Sequence, residues 1–203
     1  KNQQSKKIIV WGIQPYKNTR EDVTYIRCPN EHDLIMEFMS FWTKNYPDVI
    51  TGWNTDFFDI PYLANRIKQV CGEDKMRELS PWKNVSSKQI YSMGRNHLMY
   101  DIMGVSQYDY LQLYQKFTYT RQESYKLDYI ASVELGEKKD ENPYETFREW
   151  YENDFQSFID YNIQDVEIVD KLEDKMGLID LALTMAYEGK VNYSDVFGQV
   201  KYW

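Results

Sequence analysis

Apolar residues recur at two different periods along this chain, and the alternation between them predicts an α/β protein. Residues 7–13 (KIIVWGI) and 23–28 are short runs rich in β-formers, separated by a turn-rich stretch at 15–22, and runs of that length and type predict strands. Asn30, with Asp33 three residues on, offers a helix cap, after which Leu34, Ile35, Phe38, Phe41 and Trp42 fall at helical spacing. Residues 48–53 (DVITGW) predict the next strand, bounded by Pro47 and by the polar Asn54, Thr55 and Asp56, and residues 60–70 return to helical spacing. The order strand, helix, strand, helix is that of a sheet flanked by helices.

Further along, Gly72 is a helix stop and Ser80-Pro81 opens an irregular section. Residues 85–92 and 96–102 read as the arms of a hairpin, with Met93, Gly94 and Arg95 at its tip. Helical spacing is predicted over 105–117 and again over 125–133, the second with Ser124 as cap. The charged stretch 136–142 (GEKKDEN) reads as a loop. A start at Pro143, or a cap near Asn142, gives a helix through Trp150. Asn153 or Asp154 can then cap a longer one, whose broad apolar face holds Phe155, Phe158, Ile159, Ile163, Val166, Val169, Leu172 and Met176 and runs to about Gly177 or beyond. No internal repeat or low-complexity segment is visible. A first residue that is lysine, an apolar run that follows almost at once and an abrupt carboxyl end predict a chain truncated at both ends.

Composition bears on this picture mainly through charge and cysteine. The 203 residues, 42% hydrophobic and 16% aromatic with 18 Tyr, supply ample core material. Two cysteines and two histidines exclude a disulfide framework and a Cys/His zinc site, and no apolar run is long enough for a membrane span, so the chain reads as cytoplasmic with no membrane partner. A net charge of -8 argues against tight duplex binding by the chain alone, since phosphate binding calls for a basic footprint. Most of the 32 acidic residues are solvated surface.

Two constellations carry candidate chemistry. The segment Asn54-Thr55-Asp56-Phe57-Phe58-Asp59 lies where a buried strand ends and a helix begins, the place in α/β sheets where ligands and metals collect. Taken alone it is as readily a helix cap, with Asp56 the better suited to that task. In the long helix, Tyr161 and Asp165 stand at i, i+4 and so share a face. With Ile159, Ile163 and Val166 around it, Asp165 is expected near the core, where a carboxylate needs a partner; a metal would serve, and so would a salt bridge with Tyr161 packed as an ordinary aromatic.

Taken together, these segments resemble the exonuclease domain of family B DNA polymerases, most closely the T-even-type phage replicative polymerases. Gly52-Trp53-Asn54 followed by Phe58-Asp59 is similar to the family's second exonuclease motif, and Tyr161-Asn162-Ile163-Gln164-Asp165 to its third, Tyr-x-x-x-Asp. Between them, Ser124-Tyr125-Lys126-Leu127-Asp128 resembles the Ser-x-Lys/Ser-Leu-Asp segment that precedes the third motif. The resemblance implies a ribonuclease H-like fold, a mixed sheet flanked by helices with a β-hairpin insertion, in residues 1–188, with 189–203 beginning the connection to polymerase domains. It implies proofreading 3′–5′ exonuclease activity with two Mg2+ (or Mn2+) ions held by four carboxylates. Asp59 and Asp165 would be metal ligands, Tyr161 would orient the attacking water, and Lys138 in the charged loop would approach the scissile phosphate. Asn54 and Phe58 would touch the 3′-terminal nucleotide, while Met93, Gly94 and Arg95 would form the tip of a hairpin that helps to part primer from template. Implied partners are a single-stranded 3′ end and, through the complete polymerase, a template-primer duplex and a sliding clamp.

The sequence departs from the family in lacking the first motif, Asp-x-Glu on the opening strand, which is expected upstream of Lys7; the chain by itself is therefore expected to be inactive or nearly so. It also ends before any polymerase motif. Two other readings stand beside this one: a stand-alone DEDD-type exonuclease, disfavoured by the Gly-Trp-Asn context, and a ribonuclease H-like module that binds nucleic acid without catalysis.

Overall fold

The computed structural model describes residues 1, 5–92, 94–137 and 143–197; Met93 and Lys138 lie outside them. In chain order the first elements are β1 (Ile8–Gly12), β2 (Val23–Arg27), α1 (Glu31–Lys44), β3 (Val49–Gly52), α2 (Asp59–Cys71), α3 (Glu73–Arg77), β4 (Val85–Ser92) and β5 (Arg95–Ile102). There follow β6 (Ser106–Asp109), α4 (Tyr110–Phe117), α5 (Leu127–Leu135), α6 (Phe147–Asn153), α7 (Phe155–Met176), α8 (Leu178–Gly189) and a 3-10 turn, Tyr193–Phe197. The chain divides into two compact units, Lys1–Leu34 with Gln122–Lys175, and Ile35–Arg121 with Met176–Trp203.

In the first unit β1 and β2 pair in parallel, Ile8 opposite Val23. Those two residues are buried in one cluster with Phe155, Ile159 and Ile163, which recur every four residues on α7, so a single helix face covers the strand pair. The return from β1 to β2 is pinned to the same helix: the Tyr16 hydroxyl donates to Asp160 at 2.6 Å, and Gln156 accepts the Lys17 N–H at 2.9 Å. Asp154 caps α7 as the sequence predicts, accepting the Ser157 N–H at 3.1 Å. The helix stops at Met176 because Gly177 takes φ 61°, a left-handed turn that glycine adopts without strain.

Two helix starts in this unit differ from expectation. Ser124 does not cap α5: Lys126 occupies the cap position without a side-chain bond, and Ser124 Oγ accepts the Lys126 N–H at 3.3 Å instead. Helix α6 begins at Phe147 rather than near Pro143, since Thr146 supplies the cap, accepting the Glu149 N–H at 3.2 Å. Threonine is a common cap, and the Thr146 hydroxyl sets this boundary in place of the proline.

The second unit pairs β3 with β6 in parallel and β4 with β5 as an antiparallel hairpin. Its core gathers Ile35 and Met39 of α1, Ile60, Ala64 and Ile67 of α2, Met76, Leu79, Ile102 and Val105, each large aliphatic side chain contributing about 1.5–3 kcal/mol by leaving water. Residues 106–109 are strand, not the helix start that their apolar spacing predicts. Val49 to Gly52 bind Ser106 to Asp109 in register, and a pairing partner so distant in sequence is invisible to local periodicity. Hairpin arms 85–92 and 95–102 agree with the reading from sequence, Arg95 joining the second arm opposite Ser92. Among the described residues the strands bond as three pairs within a mixed α/β chain; β3 and β6 are only four residues each, cut short by the loop after Gly52 and by α4. Among the described residues no helix is long and apolar enough to cross a membrane.

Candidate functional site

Within the second unit, the junction between β3 and α2 is built to a tight tolerance. A Cβ on Gly52 would lie 2.5 Å from Thr55 Cγ2, so any larger residue here would have to displace the Thr55 side chain. Trp53 packs against Tyr110 and Tyr114 of α4, with ring centroids 6.4 and 6.1 Å apart. Asn54 sits at φ 63°, a left-handed conformation that asparagine tolerates better than most residues. Two backbone bonds then close the turn: Phe58 N–H to the Asn54 carbonyl at 3.1 Å, and Ile60 N–H to the Thr55 carbonyl at 3.0 Å.

That turn delivers two candidate residues to the surface. Asp59 is the first residue of α2 and exposed, at the positive end of the helix dipole. Phe58 is 66% exposed, an unusual placement for a large aromatic and one suited to stacking on a base. Asp56 does not cap α2, which has no side-chain cap bond; the turn directs it toward α4, where Gln112 Nε2 donates to its Oδ2 at 2.8 Å.

A further carboxylate, outside every motif named above, organises this loop. Asp109 is 1% exposed. Its Oδ1 accepts the N–H groups of Asn54 at 2.9 Å and Leu111 at 3.0 Å, and its Oδ2 accepts the Asp56 N–H at 3.3 Å. Burial pushes the Asp109 carboxyl up, against the pull of those backbone donors. Asp56 is raised to about 6, first by burial and then by the neighbouring Asp109 charge, with the Gln112 hydrogen bond and Lys88 acting in the opposite direction. An aspartate directly before a helical apolar pattern is a cap signal, and reading 105–109 as helix concealed it.

The hairpin meets the same loop. The His97 ring of β5 lies 4.6 Å from Phe57, and the Tyr100 hydroxyl donates to Asn65 Oδ1 of α2 at 2.6 Å. At the turn, Gly94 is exposed with φ 79°, and Arg95 opens β5.

In the first unit, Tyr161 and Asp165 share one face of α7. The Tyr161 ring stands edge-on to Trp150 of α6 at 4.7 Å and lies 6.1 Å from Phe147. Trp150 is itself fixed, donating its Nε1–H to Ser157 Oγ at 2.6 Å. Asp165 is half-buried, and its Oδ1 is shut off from solvent, in line with the expected approach to the core. Val166, by contrast, faces out at 39% exposure, and Ile168 takes the buried place on that turn.

The family model described as DNA polymerase family B, exonuclease domain, matches residues 2–130. The chain belongs to that family. It is 39% identical over 185 residues to the DNA-directed DNA polymerase of Escherichia phage RB69, covering 90% of this chain and 20% of that protein. Against the DNA-directed DNA polymerase of Enterobacteria phage T4 it is 40% identical over 182 residues, covering 89% and 20%. The DNA polymerase delta catalytic subunit of Candida albicans matches at 36% over 118 residues, 55% of this chain and 11% of the relative. The chain spans about a fifth of the length of the two phage relatives.

For a family B exonuclease domain the question of a divalent ion turns on the donors present. Asp59 and Asp165 are hard oxygen donors of the kind Mg2+ and Mn2+ take, and a carboxylate oxygen removed from solvent, as Asp165 Oδ1 is, suits a cation. Among the described residues no group of three or more His, Cys, Asp or Glu side chains is gathered to hold a metal. Each of these two residues is, by its chemistry, suited to be one ligand of such an ion.

Proposed function

We propose that this chain is the 3′–5′ proofreading exonuclease segment of a phage-type family B replicative DNA polymerase, with a ribonuclease H-like fold in residues 1–188 and the lead into the polymerase domains in 189–203. The observation that carries the reading is the β3–α2 junction, where an exposed phenylalanine and an exposed carboxylate stand side by side on a loop fixed by hydrogen bonds, in a chain of this family. Phe58 would stack on the 3′-terminal base, a contact that tolerates any sequence, while Asn54 holds the same nucleotide. Asp59 and Asp165 would serve as ligands for two divalent ions, Mg2+ or Mn2+, which when bound clamp the attacking and leaving oxygens and lower the pKa of water.

The chain's own groups do the rest. Tyr161, its ring held by Trp150, would orient the attacking water through its hydroxyl, and Lys138 would offset charge at the scissile phosphate. The hairpin tip, Met93, Gly94 and Arg95, would help to part primer from template. The substrate is a single-stranded 3′ end; the template-primer duplex and a sliding clamp would be engaged through the larger polymerase. A net charge of -8 predicts weak binding of duplex by this chain alone.

A second reading is a module that binds DNA without hydrolysing it. The proposal is tested by divalent binding in the presence of a single-stranded 3′ end, which Asp59→Ala and Asp165→Ala should each weaken; a pure binding module predicts no effect of either.

A further inference from the structure

The loop that carries Asn54, Phe58 and Asp59 has a left-handed residue at its start and an exposed aromatic at its end, a combination that needs an external hold. Asp109 occupies the position for it. Register pairing sets Gly52 opposite Asp109 at the ends of β3 and β6, so the carboxylate stands beside the first residues to leave the sheet. Thr51 strengthens that pairing, donating its hydroxyl to the Tyr108 carbonyl at 2.6 Å. One oxygen of Asp109 takes Asn54 and Leu111, and the other takes Asp56. The same side chain thus caps α4 and ties down two backbone amides of the loop. Gln112, one turn into α4, adds a bond to the Asp56 side chain, so loop and helix are joined at both backbone and side-chain level.

We propose that Asp109 is a positioning residue, whose buried carboxylate clamps the Asn54 and Asp56 amides and thereby fixes the loop that presents Phe58 and Asp59 to a DNA 3′ end. What the loop presents rests on the function proposed above; the clamp on the loop does not. A buried backbone N–H that loses its acceptor pays the cost of an unsatisfied donor, so losing two of these bonds should free the loop while the rest of the fold stands. The carboxylate acts on DNA only through Asn54, Phe58 and Asp59.

Two variants separate this role from plain helix capping. Asp109→Ser retains a good cap for α4, but its short hydroxyl cannot serve Leu111, Asn54 and Asp56 together. Asp109→Asn keeps the shape and one acceptor oxygen. Amide hydrogen exchange on the 203-residue chain should show the Asn54 and Asp56 N–H groups exchanging at least ~10-fold faster in Asp109→Ser, with α2 and α4 still protected, and an intermediate change in Asp109→Asn. Binding of a single-stranded oligonucleotide with a fluorescent 3′-terminal base should weaken in the same order. If Asp109→Ser exchanges and binds as the wild type does, capping is the whole role of Asp109 and the proposal is overturned. Should Asp109→Ser unfold, wild-type exchange at Asn54 and Asp56 in Asp109→Asn overturns it equally. Phe58→Ala serves as the control for the parent reading: no change in oligonucleotide binding there defeats the proposed function, while the exchange rates still decide the clamp.

Discussion

Replacing Asp56 by asparagine should stabilise this protein in alkaline solution and leave it nearly unchanged in acid. The Asp56 carboxyl is raised from an ordinary 3.8 to about 6 by burial and by the Asp109 charge. A carboxyl that holds its proton more tightly folded than unfolded favours folding most below pH 3.8, and that contribution is lost as pH rises through about 6. At about 1.4 kcal/mol for each tenfold change in proton affinity, the ionised group costs at most about 3 kcal/mol at pH 8. Asp56→Asn mimics the protonated form and can still accept from Gln112, so it should recover much of that cost. In a domain of this size this corresponds to a rise in Tm of up to about 6–12 °C at pH 8. Denaturation of wild type and variant, followed at pH 8 and pH 4, gives the comparison. A variant that is destabilised at pH 8, or whose effect is the same at both pH values, would contradict a carboxyl penalised by burial at Asp56.

Other perturbations read the two candidate regions separately. Trp150→Ala removes a side chain that is 2% exposed and packs on Phe147, Phe158 and Tyr161; it should cost about 3–5 kcal/mol in denaturant unfolding, and a loss below about 1 kcal/mol would contradict the packing described. Phe58→Ala, at an exposed site, should leave stability within about 0.5 kcal/mol yet weaken binding of a single-stranded 3′ end by about 1–3 kcal/mol, the worth of one stacked base. Unchanged binding would remove Phe58 from the site.

How much of this was legible beforehand depended on whether the deciding interaction was local. Asn30 and Asp154 cap the helices they were expected to cap, because a cap is settled within three residues. The hairpin at 85–102 was readable for the same reason, with Gly94 at its turn. Residues 106–109 were misread because the strand exists only through its pairing with 49–52. That error also hid Asp109, which in a helix interior would have been one more acidic residue and at a strand end becomes both cap and clamp. Asp56 was assigned a capping task it does not perform, since the left-handed Asn54 turns the loop toward Gln112. Phe58, Asp59, Tyr161 and Asp165 are candidates through the resemblance of two short motifs, each of which is written within a dozen residues of sequence.

The proposed role of Asp59 and Asp165 as divalent-ion ligands is the reading on which the proposed function rests. Its most direct test is a Mn2+ titration of the chain followed by electron paramagnetic resonance, with a single-stranded oligonucleotide present. The account predicts measurable binding by the wild type and a loss of about tenfold or more in affinity in each of Asp59→Ala and Asp165→Ala, at least that expected for disturbing a ligand's support. Wild-type affinity for Mn2+ in both variants would contradict it.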